Sequence, residues 1–356
     1  MKGSDRSSKR VVVKIGSSLF YSKENKLDFV LINSIADQIL ELVSENVEMV
    51  VVTSGAIGLG MSILNLSSRP KELSDLQAVA AIGQNELMGL YRMMFKERGL
   101  KCGQVLLTWE DFDEHSRYLN AKNTLLSILK LKSIPVINEN DTVATDEIKF
   151  GDNDRLSAMV ASLIAADLLI ILSDVDGLLL KDKKTVVRVI DEITPQVKAL
   201  ASPTTRNTSV GGMITKIQAA KIAVDSGVPC VIAGGRHLGI VSGLVHDPAS
   251  AGTLFLPKKG HLAEKERWMA FGTKAKGKVI VDEGAKVALL RRKSLLCVGI
   301  MGVEGSFDCG DVVSLIDSQG NEFARGKVSA SCKQLEKSKG THRDKEALHC
   351  DNIVIL

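Results

Sequence analysis

Aromatic residues make up only 4% of this 356-residue chain, too few to favour a platform for stacking nucleic-acid bases. Its 6 cysteines form no C-x-x-C pair. Cys102, Cys230, Cys297, Cys309, Cys332 and Cys350 are scattered, which argues against a zinc site or disulfide framework and for reduced thiols in a cytoplasm. No apolar run approaches the roughly 20 residues that a membrane-spanning helix needs. The basic start MKGSDRSSKR leads into VVVKIG, far too short for the core of a secretion signal. Neither charge dominates: a formal net charge of +4 does not by itself imply a polyanionic partner. Internal repeats and low-complexity tracts are also missing.

What is present is an ordinary globular composition, 45% hydrophobic and 25% charged, over a length that allows two domains. Short β-branched, almost wholly apolar runs recur at 10–16, 48–55, 103–108, 133–138, 167–174 and 228–235. Such runs predict strands buried on both faces, as a parallel sheet requires. Helical patterns fall between them at 28–46, 75–99 and 212–227. The second is apolar around more of its surface, which suits burial or a subunit interface. Strands alternating with helices imply an open α/β sheet covered on both faces. The stretch 257–274 is charged and contains glycine, as a linker would. Beyond it, turn signals EGS, CGD and SQGN at roughly 8–12-residue spacing predict a small β-rich unit. Residues 273–356 carry 14 Lys/Arg against 11 Asp/Glu. The expected organisation is an N-terminal extension (1–9), an α/β domain (10–256), a linker (257–274) and a β-rich domain (275–356).

Ligands of open α/β sheets bind beyond the carboxyl ends of the strands, so those ends locate the chemistry. They carry KIGSS (14–18), TSGAIGLG (53–60), NENDTVATDEIKFGDNDRLS (138–157) and SDVDGL (173–178), while VGGMITK (210–216) opens a helix. Turns of Gly and Ser let backbone N–H groups approach an anion, and a helix N-terminus adds a favourable dipole. Neither a P-loop nor a G-x-G-x-x-G dinucleotide fingerprint is present. Lys14 would sit at a strand end, and Lys216 in a helix first turn, where a positive charge opposes the dipole. One reading makes Lys216 a solvated surface residue. The other has both lysines clamp a phosphoryl group during transfer.

The stretch 138–157 holds six acids and three side-chain amides, without His or Cys. Such oxygens could ligate a hard metal, grip a cationic group of a substrate, or solvate a loop. A phosphate-binding edge usually needs Mg²⁺, and Asp141, Asp152, Asp154 and Asp174 are candidates for direct, water-mediated or orienting roles. Asp152 or Asn153 could equally be a helix N-cap.

The motifs VVVKIGSSL, VVTSGAIGLG, IPVINENDTVATDEIKFGDNDRLSAMVA, LSDVDGL and VGGMITKIQAAKIAVDSGV together resemble the amino acid kinase family over residues 10–256. NEND followed by FGDNDRLS resembles the branch that phosphorylates the side-chain carboxylate of L-glutamate. The C-terminal segment resembles a PUA domain. The resemblance implies an amino acid kinase fold, ATP as co-substrate with Mg²⁺, and glutamyl 5-phosphate as product, on the way to proline. It implies that Lys14 and Lys216 contact the ATP phosphates and that Asp154 orients the two lysines. Ser173, Asp174 and the turn Val210, Gly211, Gly212, Met213, Ile214, Thr215, Lys216 would surround the nucleotide. Val210 stands where the family usually carries a hydroxyl residue, and Cys297 where it usually has Pro. Ser54, Gly55, Asp141, Asn153 and Asn138 would line the glutamate site, and Asp152 would serve the metal, through water. Proline as feedback inhibitor and a homo-oligomer, dimer or tetramer, are further implications.

Two rivals stay open at this stage. A relative with the same fold could act on acetylglutamate, aspartate or a nucleotide, although FGDNDRLS argues against it. The PUA-like domain could bind RNA, although its small charge excess and its two aromatics, Phe307 and Phe323, do not favour this.

Overall fold

The structure, a computed structural model, describes residues 8–22, 27–144, 153–180, 182, 184–201, 212–257, 262, 264–341 and 346–356. Asp152, Val210 and Gly211 lie outside these. The chain divides into two compact units, the first of residues 1–111 and 119–261, the second of 112–118 and 262–356.

In the first unit the apolar runs become β1 (Arg10–Ile15), β2 (Glu48–Thr53), β3 (Cys102–Leu107), β4 (Ile134–Glu139) and β5 (Leu168–Ser173). Two-residue β6 (Val189–Ile190), then β7 (Cys230–Gly234) and β8 (Thr253–Phe255), complete one sheet of order β3-β4-β2-β1-β5-β7-β8-β6. The six strands from β3 to β7 run parallel. β8 joins antiparallel to β7, and β6 pairs parallel with β8. These last two are too short to carry a periodic signal, and the sequence gives no sign of them.

Alternation along each strand sends successive side chains to opposite faces. Val11, Val13 and Ile15 of β1 join a core with helices Phe29–Ser44, Leu73–Glu97 and Ile240–His246. Lys14 therefore faces the other layer, where helices Asn153–Leu163 and Met213–Asp225 pack together. Both helices carry small, fully buried residues: Ser157, Ala158 and Ala161 on one, Ala219, Ala220 and Ala223 on the other. Without long side chains at these positions the two helix starts come close.

Helix Leu73–Glu97 begins two residues earlier than its sequence pattern indicates and buries Leu76, Val79, Leu87, Tyr91 and Phe95. It meets helix Ala56–Ile63 backbone to backbone: a Cβ on Gly83 would lie 1.8 Å from Ala56 O, and one on Gly60 2.0 Å from Val79 O. This contact fixes the direction in which the chain leaves β2.

The second unit holds a five-stranded sheet, β11-β9-β12-β13-β15, built from β9 (Gly277–Val281), β11 (Ile300–Gly305), β12 (Val312–Ile316), β13 (Glu322–Lys327) and β15 (Ile353–Ile355). A separate pair joins β10 (Leu295–Leu296) to β14 (Glu346–Leu348). Its core gathers Val279, Val281, Leu289, Leu295, Val313, Leu315 and Leu348. The stretch expected as a linker is partly folded into this unit. Glu264–Arg267 is a helical turn, and Trp268–Gly272 is a π-helical turn whose Met269 and Ala270 are buried with Val312 and Val354. The apolar run WMAF outweighs the flanking charges. Residues 112–118, expected in the first domain, also belong here: the Trp268 indole donates to Phe112 O at 3.0 Å, and the Asp113 carboxylate accepts from Lys274 N at 2.7 Å.

Substituting Gly83→Ala is expected to lower stability by about 1–3 kcal/mol, the usual cost of overpacking. Chemical denaturation of the two proteins side by side measures this.

Candidate active site

From β1 the chain proceeds to β2 on one side, and from β5 to β7 on the other. The carboxyl ends of β1 and β5 therefore flank a topological switch point, where open α/β sheets hold their ligands. Lys14 lies one residue from the end of β1, and Ser173 ends β5.

Three charged side chains meet there in the interior. Lys14 Nζ is 2.6 Å from Asp154 Oδ1, and Lys216 Nζ is 3.1 Å from Asp154 Oδ2. All three are buried, at 6%, 6% and 3% exposure for Lys14, Lys216 and Asp154, so the reading of Lys216 as a solvated surface residue is overturned. Burial pushes the Asp154 carboxyl up, but the Lys14 and Lys216 ammonium groups outweigh it and hold the group well below the usual carboxylate range. Asp154 also sits in the first turn of its helix, where the dipole favours an anion. Thr215 Oγ1 lies 3.2 Å from Asp154 Oδ2 and 2.9 Å from Gly212 O. The cluster carries two positive charges and one negative, a buried surplus suited to an incoming anion.

Around it the loops converge. The turn after β1, Gly16 and Ser17–Phe20, continues from Lys14. A Cβ on Gly16 would be 3.9 Å from Lys14 Nζ, and one on Gly55 3.9 Å from Ser17 Cβ. Gly55 takes φ 110°, a left-handed value that glycine adopts without strain, and it lets β2 turn directly into helix Ala56–Ile63. Ser173 is buried with its hydroxyl donating to Asp174 Oδ1 at 3.1 Å, while Asp174 is exposed at the rim. Gly212 precedes helix Met213–Asp225, in which Met213, Ile214 and Thr215 form the first turn ahead of Lys216.

On the β2 and β4 side stand amides and an acid. Asn138 is buried at 2% exposure and donates from Nδ2 to Gln84 Oε1 at 2.7 Å. Among the described residues nothing donates to Asn138 Oδ1 or to Asn153 Oδ1, both buried. A buried acceptor without a donor is costly, and a ligand N–H would satisfy it. Asp141 has its carboxyl pushed up to about 6 by burial, opposed by the nearby Arg69 guanidinium. Gln84, Arg69 and Arg155, which stacks 3.6 Å from the Trp109 ring centroid, went unnoticed in the sequence. Gln84 interrupts an apolar helix and could have been flagged on that ground, whereas Arg69 follows no pattern.

The available donors are oxygens: the Asp174 carboxylate, the Ser173 hydroxyl and the side-chain amides. Among the described residues no cluster of three His, Cys, Asp or Glu cages a metal at this edge. That donor set fits Mg²⁺, which keeps water and is usually carried on phosphates with one or two carboxylates.

A model of the amino acid kinase family matches residues 9–234. The chain belongs to the amino acid kinase family. A PUA domain model matches residues 277–347, so the family's α/β fold is followed here by a β-rich PUA domain. Three curated relatives are each named glutamate 5-kinase. The one from Caldanaerobacter subterraneus subsp. tengcongensis is 45% identical, covering 98% of both chains. The one from Paraburkholderia phymatum is 41% identical, again over 98% of both. The Moorella thermoacetica protein is 39% identical over 98% of this chain and 96% of its own. Among the described residues of this amino acid kinase, no helix is long and apolar enough to cross a membrane.

Asp154→Asn leaves two buried ammonium groups uncompensated and is expected to cost about 3–5 kcal/mol, partly restored by added ATP. Because the folded carboxyl is held low, the wild-type contribution is fully present above the unfolded value near 4. It is lost as pH falls through the folded value. Denaturation curves from pH 7 to pH 3 should therefore fall more steeply below about pH 4 in the wild type than in the variant, which keeps other low-lying carboxylates such as Asp317 and Glu322.

Proposed function

We propose that this protein transfers the γ-phosphoryl group of ATP to the side-chain carboxylate of L-glutamate, giving L-glutamyl 5-phosphate and ADP, the first step toward proline. The observation that carries this reading is the convergence of buried Lys14 and Lys216 on Asp154 at the switch point. The name shared by the relatives supplies the acceptor.

The acceptor needs no general base, since a glutamate carboxyl with a pKa of about 4.3 is already ionised at neutral pH. One of its oxygens bonds to the γ-phosphorus as the bond to the bridging oxygen breaks, and ADP leaves with the electron pair. No proton moves. The obstacle is the approach of one anion to another, so catalysis is positioning and charge compensation. Lys14 and Lys216 supply that charge from separate elements, and Asp154 holds both ammonium groups in place. Ser173, Asp174 and residues 212–215 border the nucleotide, with Gly212 and the helix first turn offering backbone N–H groups. Asp174 would help hold Mg²⁺, which would supply further positive charge to offset the negative charge of the phosphates; Asp152, the other candidate, lies outside the described residues.

The glutamate site is the β2–β4 side. The orphaned acceptors Asn138 Oδ1 and Asn153 Oδ1 and the Asp141 carboxylate suit the α-ammonium, with Ser54 and the Gly55 backbone beside them. Exposed apolar side chains Ile63, Leu64, Leu66 and Ile82 support a homo-oligomer, and the cysteine spacing supports a cytoplasmic location. Proline as feedback inhibitor follows from the same assignment.

ATP, Mg²⁺, L-glutamate and hydroxylamine should yield γ-glutamyl hydroxamate, and Lys216→Ala should lower that rate by at least about 100-fold. Turnover of aspartate or acetylglutamate in place of glutamate sinks the proposal. KM for glutamate should rise as pH falls below about 6, the value to which burial raises Asp141, because the protonated carboxyl no longer attracts an ammonium. Steady-state kinetics of wild type and Asp141→Asn between pH 5 and pH 8 test this, the variant showing a high, flat KM.

A further inference from the structure

The segment following β7 contributes nothing to the reaction described above, yet it touches both turns that flank the lysine cluster. Gly235 N donates to Ser173 O at 2.8 Å, and a Cβ on Gly235 would lie 2.4 Å from Leu19 Cδ1. A Cβ on Gly234 would lie 2.3 Å from Asp176 Oδ1. Gly235 is therefore wedged between the turn after β1 and the end of β5, and Gly234 lies against the turn after β5. The next two residues bond to those same turns, one to each. Arg236 Nη2 donates to Ser18 O at 3.1 Å and to Tyr21 O at 2.6 Å, and its Nη1 is 2.9 Å from Asp28 Oδ2. His237 Nε2 is 2.7 Å from Asp176 Oδ1.

We propose that Gly234–His237 is a bracket fixing the distance between the β1 turn and the β5 turn, and that Arg236 is a positioning residue for phosphoryl transfer. The path from Arg236 to the chemistry is short. Arg236 holds Ser18 O, Ser18 is two residues from Gly16, and Gly16 lies against Lys14 Nζ with its own N–H bonded to Leu172 O at 3.2 Å. Displacing Ser18 shifts the backbone that neighbours the ammonium.

The residue type fits this task. A guanidinium presents planar, diverging N–H donors that reach two carbonyls and a carboxylate at once, whereas an ammonium can keep the ion pair but not that fork. The Arg236 side chain is 42% exposed, and pairs this exposed contribute little to stability. Its consequence is geometric: small displacements of reacting groups cost rate out of proportion to folding energy. His237 and Asp176 are more exposed still, at 61% and 65%, so they form the weaker arm.

This inference rests on the ATP-dependent reading for the identity of the anion, so its test reads nucleotide binding separately from turnover. Arg236→Ala should weaken binding of Mg²⁺ and trinitrophenyl-ATP about tenfold and lower kcat by about the same factor. KM for glutamate should stay within about twofold and Tm nearly unchanged, a split that a merely structural residue would not produce. Arg236→Lys should recover part of kcat. Arg236→Ala with wild-type nucleotide affinity and kcat overturns the proposal. If Arg236→Ala melts below the assay temperature, Arg236→Lys, which keeps the charge but not the fork to Ser18 O and Tyr21 O, is read in its place, and wild-type nucleotide affinity and kcat there overturn it equally. A wild-type protein that binds nucleotide but phosphorylates another acceptor refutes the glutamate assignment, and the bracket is then decided by the nucleotide affinities.

Discussion

Two ammonium groups buried around one carboxylate set the terms for the rest of the first unit. Desolvating a charge costs several kcal/mol after relaxation, and Lys14 and Lys216 are each 6% exposed. Asp154 makes that burial tolerable by offering one oxygen to each lysine. It compensates only one of the two positive charges, so the cluster stays short of an anion. On the proposed reading, a phosphate entering between the lysines would meet donors already in place, with little reorganisation as charge shifts during transfer.

Holding that cluster requires much of the surrounding architecture. Lys14 must point away from the Val11–Val13–Ile15 face, which the period of β1 ensures. Asp154 and Lys216 must begin neighbouring helices, which pack together and carry small buried Ala and Ser residues. Gly235, Arg236 and His237 then bond to the turns after β1 and β5. The side proposed for glutamate is built differently, from Asn138 on β4, Asp141 after it and Asn153 at a helix start, with Asn138 backed by Gln84 from helix Leu73–Glu97. On that reading, one half with a surplus positive charge and one half rich in amides suit a reaction that joins an anion to an anion.

Much of this was legible beforehand. All six parallel strands were visible as apolar runs, which suits the five that are buried on both faces, whereas β3 at the sheet edge is only half-buried, with Gln104 exposed. The strand ends then pointed to Lys14, Ser173 and the 138–157 stretch. Helix Met213–Asp225 and its glycine entry were likewise readable. Less legible were β6 and β8, too short for any period, and the packed WMAF turn, whose four apolar residues were masked by flanking charge. Gln84 and Arg69 were missed because a single polar residue acquires meaning only from the side chain opposite it.

Sequence alone determined the six parallel strands, which of their ends carry small-residue turns, and that cations and acids fall at those ends. Each of these follows from local preference and from the period with which side chains alternate. Tertiary structure alone decided that Lys14 and Lys216, 202 positions apart in the chain, share one carboxylate, and that Arg236 reaches back to Ser18. Those pairings depend on strand order and on the closeness of two helices, and strand order is a property of the whole sheet.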